Sequence, residues 1–256
     1  MKARIIFLIL LTLFVTASCQ AAPEPTAMPI PTEAPKPTAP PPPTAEPTAE
    51  PTATPMGQIF RDDFVVDLQP GWTWVNEVPE NHSISTEGLR IISDDACFLG
   101  DGFQNNLLLR DAPQDISFTV ETKLTANTQS NFQQASLFLY EDAQNYYSVN
   151  RGYCGICHTQ GDGIFSDYMF HNEMSFNFKG IKIDTDDVYL KLEVDREGKW
   201  LINYYATEAG QWIQLRKVPL LIDVQKIAIG SGNCDGGQFE DNLTAFFDYV
   251  EIKELE

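Results

Sequence analysis

Gln134-Ala135-Ser136-Leu137-Phe138-Leu139-Tyr140 is the stretch on which the fold turns. Successive side chains of a strand point to opposite sides, so Ala135, Leu137 and Leu139 share one face and Gln134, Ser136, Phe138 and Tyr140 the other. Turn residues Glu141-Asp142-Ala143 end it, and Asn145-Tyr146-Tyr147-Ser148-Val149 resumes with strand-forming residues.

The same alternation runs outward in both directions. Leu89-Arg90-Ile91, Asn106 through Arg110, Ile116 through Glu121, Tyr189 through Asp195, Trp200 through Tyr205, Gln211 through Val218, Lys226 through Ile229 and Ala245 through Ile252 follow it. Glu87-Gly88, Asp111-Ala112-Pro113, Arg196-Glu197-Gly198-Lys199 and Glu208-Ala209-Gly210 separate them as turns. No stretch carries an apolar stripe through three helical turns. Many short antiparallel strands predict an all-β jelly-roll sandwich of two antiparallel sheets over residues 57–256.

Upstream the chain changes character. Thirteen of its 17 prolines lie between Gln20 and Met56, in near-repeats of Pro, Thr, Ala and Glu. Such a segment has nothing apolar to bury, so 19–56 is expected to be a disordered, largely polyproline II linker. At about 3.1 Å per residue it would reach on the order of 100 Å. Before it, Met1-Lys2-Ala3-Arg4, an apolar run from Ile5 to Val15 and Thr16-Ala17-Ser18-Cys19 have the order of a secretory signal. The apolar run falls short of the roughly 20 residues of a membrane span. The segment resembles the lipobox of bacterial lipoproteins, which implies a signal peptide over 1–18 and lipidation at Cys19. The alternative is an ordinary cleaved signal peptide. Localisation is then extracytoplasmic, facing outward or into the periplasm, with the membrane touched through the lipid alone.

The formal net charge of −19 excludes nucleic acid as a partner, since phosphate needs clustered Lys and Arg. Glu193-Val194-Asp195-Arg196-Glu197 has the Glu-x-Asp-x-Glu pattern of jelly-roll glucan hydrolases. Gly198-Lys199 follows at once, so Glu197 belongs to a hairpin turn and only Glu193 and Asp195 share a strand face. Glycosidases hold two carboxyls at about 5–5.5 Å or 6.5–9.5 Å, which a turn residue serves badly. The expectation is no enzyme, with glycoside hydrolase as an alternative.

Cys154-Gly155-Ile156-Cys157-His158 has the letters of a haem c attachment site, with Met169 or His171 as a sixth ligand. Gly152, Gly155, Gly161 and Gly163 read instead as a loop without a helix to present the ligand. Parity favours disulfides: apart from Cys19 the chain has Cys97, Cys154, Cys157 and Cys234, an even set in an oxidising compartment. Zinc or free thiols are the remaining readings. These cysteines lie in three segments read as loops, 94–104, 152–163 and 231–243, which bridges would gather at one rim.

Phe60-Arg61-Asp62-Asp63-Phe64, Gly71-Trp72-Thr73-Trp74, Glu87 through Ile91, Asn106 through Arg110, Phe118 through Thr122, Gln133 through Tyr140, Asn145 through Val149 and Phe246-Phe247-Asp248-Tyr249-Val250 occur in a familiar order. Over residues 58–254 the chain resembles the concanavalin A-like domain at the C-terminus of bacterial β-xylosidases. The resemblance implies a lectin-type jelly roll whose concave sheet meets carbohydrate. In those enzymes the domain packs on a catalytic propeller, which this sequence does not show. It also implies a structural calcium between first and last strands, at Asp62, Asp63 and Asp248; no other cofactor is expected. Asp184-Thr185-Asp186-Asp187 is not an EF-hand loop, because Val188 and Tyr189 stand where an oxygen ligand and Gly are required. Sugars are held by aromatic faces and planar polar groups, so the expected ligand residues are Gln134 and Tyr140, joined by Tyr146, Asn150 and Trp74. The reading is a monomeric, non-catalytic, lectin-like lipoprotein. A structural or protein-interaction lipoprotein without a sugar ligand is the alternative.

Overall fold

The computed structural model describes residues 57–94, 105–155, 161–174, 180–233 and 242–255. The first strands are β1 (Gln58–Asp62), β2 (Trp72–Val75), β3 (His82–Ser85), β4 (Gly88–Ile92) and β5 (Leu107–Asp111). Longer ones follow: β6 (Phe118–Ala126), β7 (Gln133–Asp142), β8 (Asn145–Cys154) and β9 (Gly161–Phe170). Two short pieces, β10 (Glu173–Met174) and β11 (Ile181–Lys182), precede β12 (Asp187–Asp195), β13 (Trp200–Ala206) and β14 (Ile213–Pro219). The last are β15 (Lys226–Asn233) and β16 (Thr244–Glu254). A single 3-10 turn, Pro79–Asn81, is the helical element among the described residues.

Two antiparallel sheets result. The first runs β14-β13-β12-β6-β16-β4-β3, with β1 also on β16, and the second β10-β9-β8-β7-β15-β5-β2, with β11 also on β9. Inward side chains of the two sheets make one core, in which Leu137, Leu139 and Val149 join Val120, Leu124, Leu192 and Ile252. The alternation of β6 is clean: Phe118, Val120, Thr122, Leu124 and Ala126 are buried and the residues between them half-buried. β7 and β8 differ, because their outward residues are buried as well.

The segment from Gly152 to Gly163 is not one long loop. Gly152 pairs with Gly163 and Cys154 with Gly161, extending β8 and β9. Glycine is used here for space: a Cβ on Gly152 would stand 2.7 Å from the Gln133 carbonyl oxygen and 2.7 Å from Phe165 Cε1. Ser231 through Asn233 likewise continue β15.

Arg151 points inward at the end of β8 and is fully buried. It is clamped from both sheets. Both Nη groups bond Asp162, Nη2 at 2.7 Å, while Thr128 Oγ1 lies 3.0 Å and Asp186 Oδ1 3.1 Å away. Thr128 follows β6 and Asp186 precedes β12, so this cation ties the ends of both sheets together. Ile92, Cys154 and Asn233, which border the cysteine-bearing segments, end their strands at this same side. Gln58 pairs with Lys253 at the opposite end.

Candidate functional site

The outward side of the second sheet gathers polar groups that the alternation of β7, β8 and β9 places in rows. Ser136 lies opposite Asn150, which lies opposite Phe165. The next row is Phe138, Ser148 and Asp167, and the next Tyr140, Tyr146 and Met169. Gln134, opposite Gly152, closes the strip towards the cysteine-bearing end. Around it Leu107, Leu109, Phe138, Tyr146, Met169 and Ala228 form a separate apolar cluster on this face.

Asn150 Nδ2 donates to Asp167 Oδ2 at 2.8 Å. Asn150 Oδ1, Ser136 Oγ and Ser148 Oγ are buried without a hydrogen-bond partner. Buried polar groups are nearly always paired, so three adjacent orphans on one face mark a place prepared for something else. Burial pushes the Asp167 carboxyl up to about 7, against the opposing bond from Asn150. Burial, followed by the charge of Asp167, also raises Tyr146 above the ordinary phenol range, and burial with Asp142 does the same at Tyr140. Asp111, at the margin, is paired with Lys226. Hydroxyl, amide and carboxyl groups flanked by aromatic edges suit a neutral polyhydroxylated ligand.

Four of the expected ligand residues, Gln134, Tyr140, Tyr146 and Asn150, thus share this face. Trp74 does not. It sits opposite Leu108 on the inward side of β2, packs against the main core and stacks on His82 at 4.2 Å. Sequence reasoning missed Asp167 and Ser148. Asp167 was legible in the alternation Phe165, Asp167, Met169, hidden by the glycines that made its strand look like a loop.

The three acids expected to hold calcium, Asp62, Asp63 and Asp248, each have partners within the protein. Asp62 accepts from Phe64 N at 3.0 Å, Gln69 N at 2.8 Å and Trp72 Nε1 at 2.9 Å, anchoring the loop after β1. Asp63 is paired with Arg61 at 2.6 Å and Asp248 with Lys123. Among the described residues no group of three acidic, His or Cys side chains is placed to hold a metal ion. Glu193 accepts from Tyr204 Oη at 3.1 Å, Asp195 Oδ1 accepts from Gly198 N at 2.7 Å, and Glu197 stands in the turn between β12 and β13. Cys154 is buried at the end of β8. Cys19, Cys97, Cys157, His158 and Cys234 lie outside the described residues. Met169 is in the apolar cluster and His171 in the turn after β9, against Phe170.

Residues 61–253 match the family model of the beta xylosidase C-terminal concanavalin A-like domain. No curated protein matches the chain. The fold is similar to that of the GH43 protein BlXynB from Bacillus licheniformis, at 16% identity and a TM-score of 0.64, covering 76% of this chain and 39% of that one. It is also similar to xylan beta-1,4-xylosidase from Bacillus halodurans, at 18% identity and a TM-score of 0.60, covering 81% and 41%. This chain therefore spans about two fifths of those enzymes. A glycosyl hydrolase family protein from Mycobacterium fortuitum aligns over 99% of its own length and 76% of this chain, at 13% identity and a TM-score of 0.51.

Proposed function

This chain belongs to the beta xylosidase C-terminal concanavalin A-like domain family, and from that premise we propose that it is a non-catalytic carbohydrate-binding module tethered outside the cell by a lipid on Cys19. The observation that carries the reading is the row of unpartnered buried atoms, Ser136 Oγ, Ser148 Oγ and Asn150 Oδ1, beside Asp167. Sugar hydroxyls donate and accept, so they complement the mixed hydroxyl, amide and carboxyl groups that this face presents. A ligand meets it through Tyr140, Asp167 and Gln134, which keep some exposure, while Asn150 orients Asp167. The similarity to a xylan beta-1,4-xylosidase supports a neutral xylan-type glycan as the first one to try.

The test is calorimetric titration with xylo-oligosaccharides alongside an array of neutral glycans. Wild type is expected to bind, and Asn150→Ala to lower affinity about tenfold or more, the equivalent of one lost hydrogen bond at about 1.4 kcal/mol. Binding of no neutral glycan, or equal binding by a folded Asn150→Ala, overturns the site. No hydrolysis of these glycans is expected.

The tether rests on residues 1–19 and the proline-rich segment after them. Mature protein is expected to partition into detergent, since two or more acyl chains anchor stably. Cys19→Ala should abolish that partitioning; a wild type found wholly in the aqueous phase sinks the anchor.

A further inference from the structure

A second group of orphaned polar side chains lies between the sheets, on the other side of β8 and β9 from the face just described. β12 packs over β7 and β8, so β13 and β14 cover β8 and β9. From the second sheet come Tyr147, Ser166 and Tyr168; from the first come Asn203 and Arg216. Tyr168 Oη, both amide atoms of Asn203 and Arg216 Nη1 are buried without a hydrogen-bond partner, and Tyr147 Oη and Ser166 Oγ are buried beside one another.

Register explains why they meet. Tyr147 and Tyr168 are cross-strand partners with rings 5.6 Å apart, and Asn203 is the cross-strand partner of Arg216. Asn203 alternates with Leu201 and Tyr205 on the inward side of β13. A register shift opposite Asn203 and Tyr204 inserts one extra residue into β14, and bulges of this kind re-aim a side chain. Burial pushes the Tyr147 hydroxyl up to about 12, and both Ser166 and the charge of Arg216 pull it back, so all three are neighbours.

Arg151, also between the sheets, has Asp162 and Asp186 as counter-ions. Arg216 has no counter-ion among the described residues. Its Nη1 is buried without a partner while the rest of the residue keeps some exposure. The remaining groups are rich in donors: three hydroxyls, one amide NH2 and the guanidinium, against one obligate acceptor, Asn203 Oδ1. One cation with converging donors matches a planar anion of unit charge, and guanidinium recognises carboxylate in this way. Arg216 is partly exposed, which leaves an approach from solvent at the sandwich edge.

We propose that Arg216, Asn203, Tyr147, Ser166 and Tyr168 form a carboxylate-binding site between the sheets, taking the acid group of a small monoanion or of an acidic sugar. It is independent of the glycan site on the outer face. The probes are sodium acetate and sodium D-glucuronate, each compared with sodium chloride at equal ionic strength in thermal melts of the domain. A saturable rise of about 2–4 °C in Tm is expected, as a bound ligand stabilises the folded state. A response to both probes identifies a free carboxylate as sufficient; a response to glucuronate alone identifies the acidic sugar. Arg216→Gln should abolish the rise and Asn150→Ala leave it unchanged. If Arg216→Gln does not fold, Tyr168→Phe removes one donor, keeps the ring and should raise the midpoint concentration several-fold. No saturable rise with either probe, or an undiminished rise in a folded Arg216→Gln or in Tyr168→Phe, overturns the site and leaves a cluster solvated by water.

Discussion

Asp162→Ala is expected to destabilise the domain by about 3–5 kcal/mol in urea denaturation, because it strips a fully buried guanidinium of its two-pronged partner. Arg151 is 0% exposed, and its other acid, Asp186, reaches only Nη2 at 3.1 Å. Replacing the cation should cost less. Arg151→Met keeps an apolar side chain between the sheets and leaves Asp162 and Asp186, whose side chains are 31% and 43% exposed, to water. The order of the two variants is the diagnostic. A larger loss for Arg151→Met would mean that packing of the stem, and not charge compensation, makes this residue important.

The second large effect belongs to Asp167. Its carboxyl is lifted by burial from an ordinary 3.8 to about 7, so the folded domain holds a proton there that the unfolded chain has released. The native state then binds more protons between about pH 4 and 7, and stability falls as pH rises across that window. Below it the carboxyl is protonated in both states, and above it ionised in both. Asp167→Asn carries no such titration, and its amide oxygen can still accept from Asn150. The variant should match wild type near pH 4 and exceed it by about 4 kcal/mol at pH 8, the linkage value of a shift of this size. Denaturation curves of both proteins from pH 4 to 8 measure this. A constant difference across the range would show that Asp167 is ionised in the folded domain throughout.

The pattern of residues anticipated much of the polar strip on the outer face of the second sheet and little of its surroundings. Gln134, Tyr140, Tyr146 and Asn150 share that face because they alternate with core residues along two adjacent strands. Trp74 was misplaced because a four-residue edge strand has too few neighbours to say which face is inward. β9 was hidden for a related reason. Its glycines look like punctuation until Gly163 is set opposite Gly152, whose own Cβ would collide with Phe165. The partners of the acids expected to hold calcium are partly local, Arg61 beside Asp63, and partly distant, Trp72 at Asp62 and Lys123 at Asp248, and the distant ones leave no mark near the acids in sequence.

Period-two alternation and turn chemistry determined from the sequence alone that the fold is an antiparallel sandwich. They also determined that Ala135, Leu137 and Leu139 point inward and that Arg196 through Lys199 close a hairpin. Those features follow from covalent geometry and neighbours a few residues away. Only the tertiary structure decided that the second sheet is buried on both faces and that Asp167 is lifted to about 7 while Asp162 serves as a counter-ion. It alone also placed Arg216 near Tyr147 with no acid partner among the described residues. Burial and charge compensation depend on what is packed against a side chain, and here the partners come from other strands and from the opposite sheet.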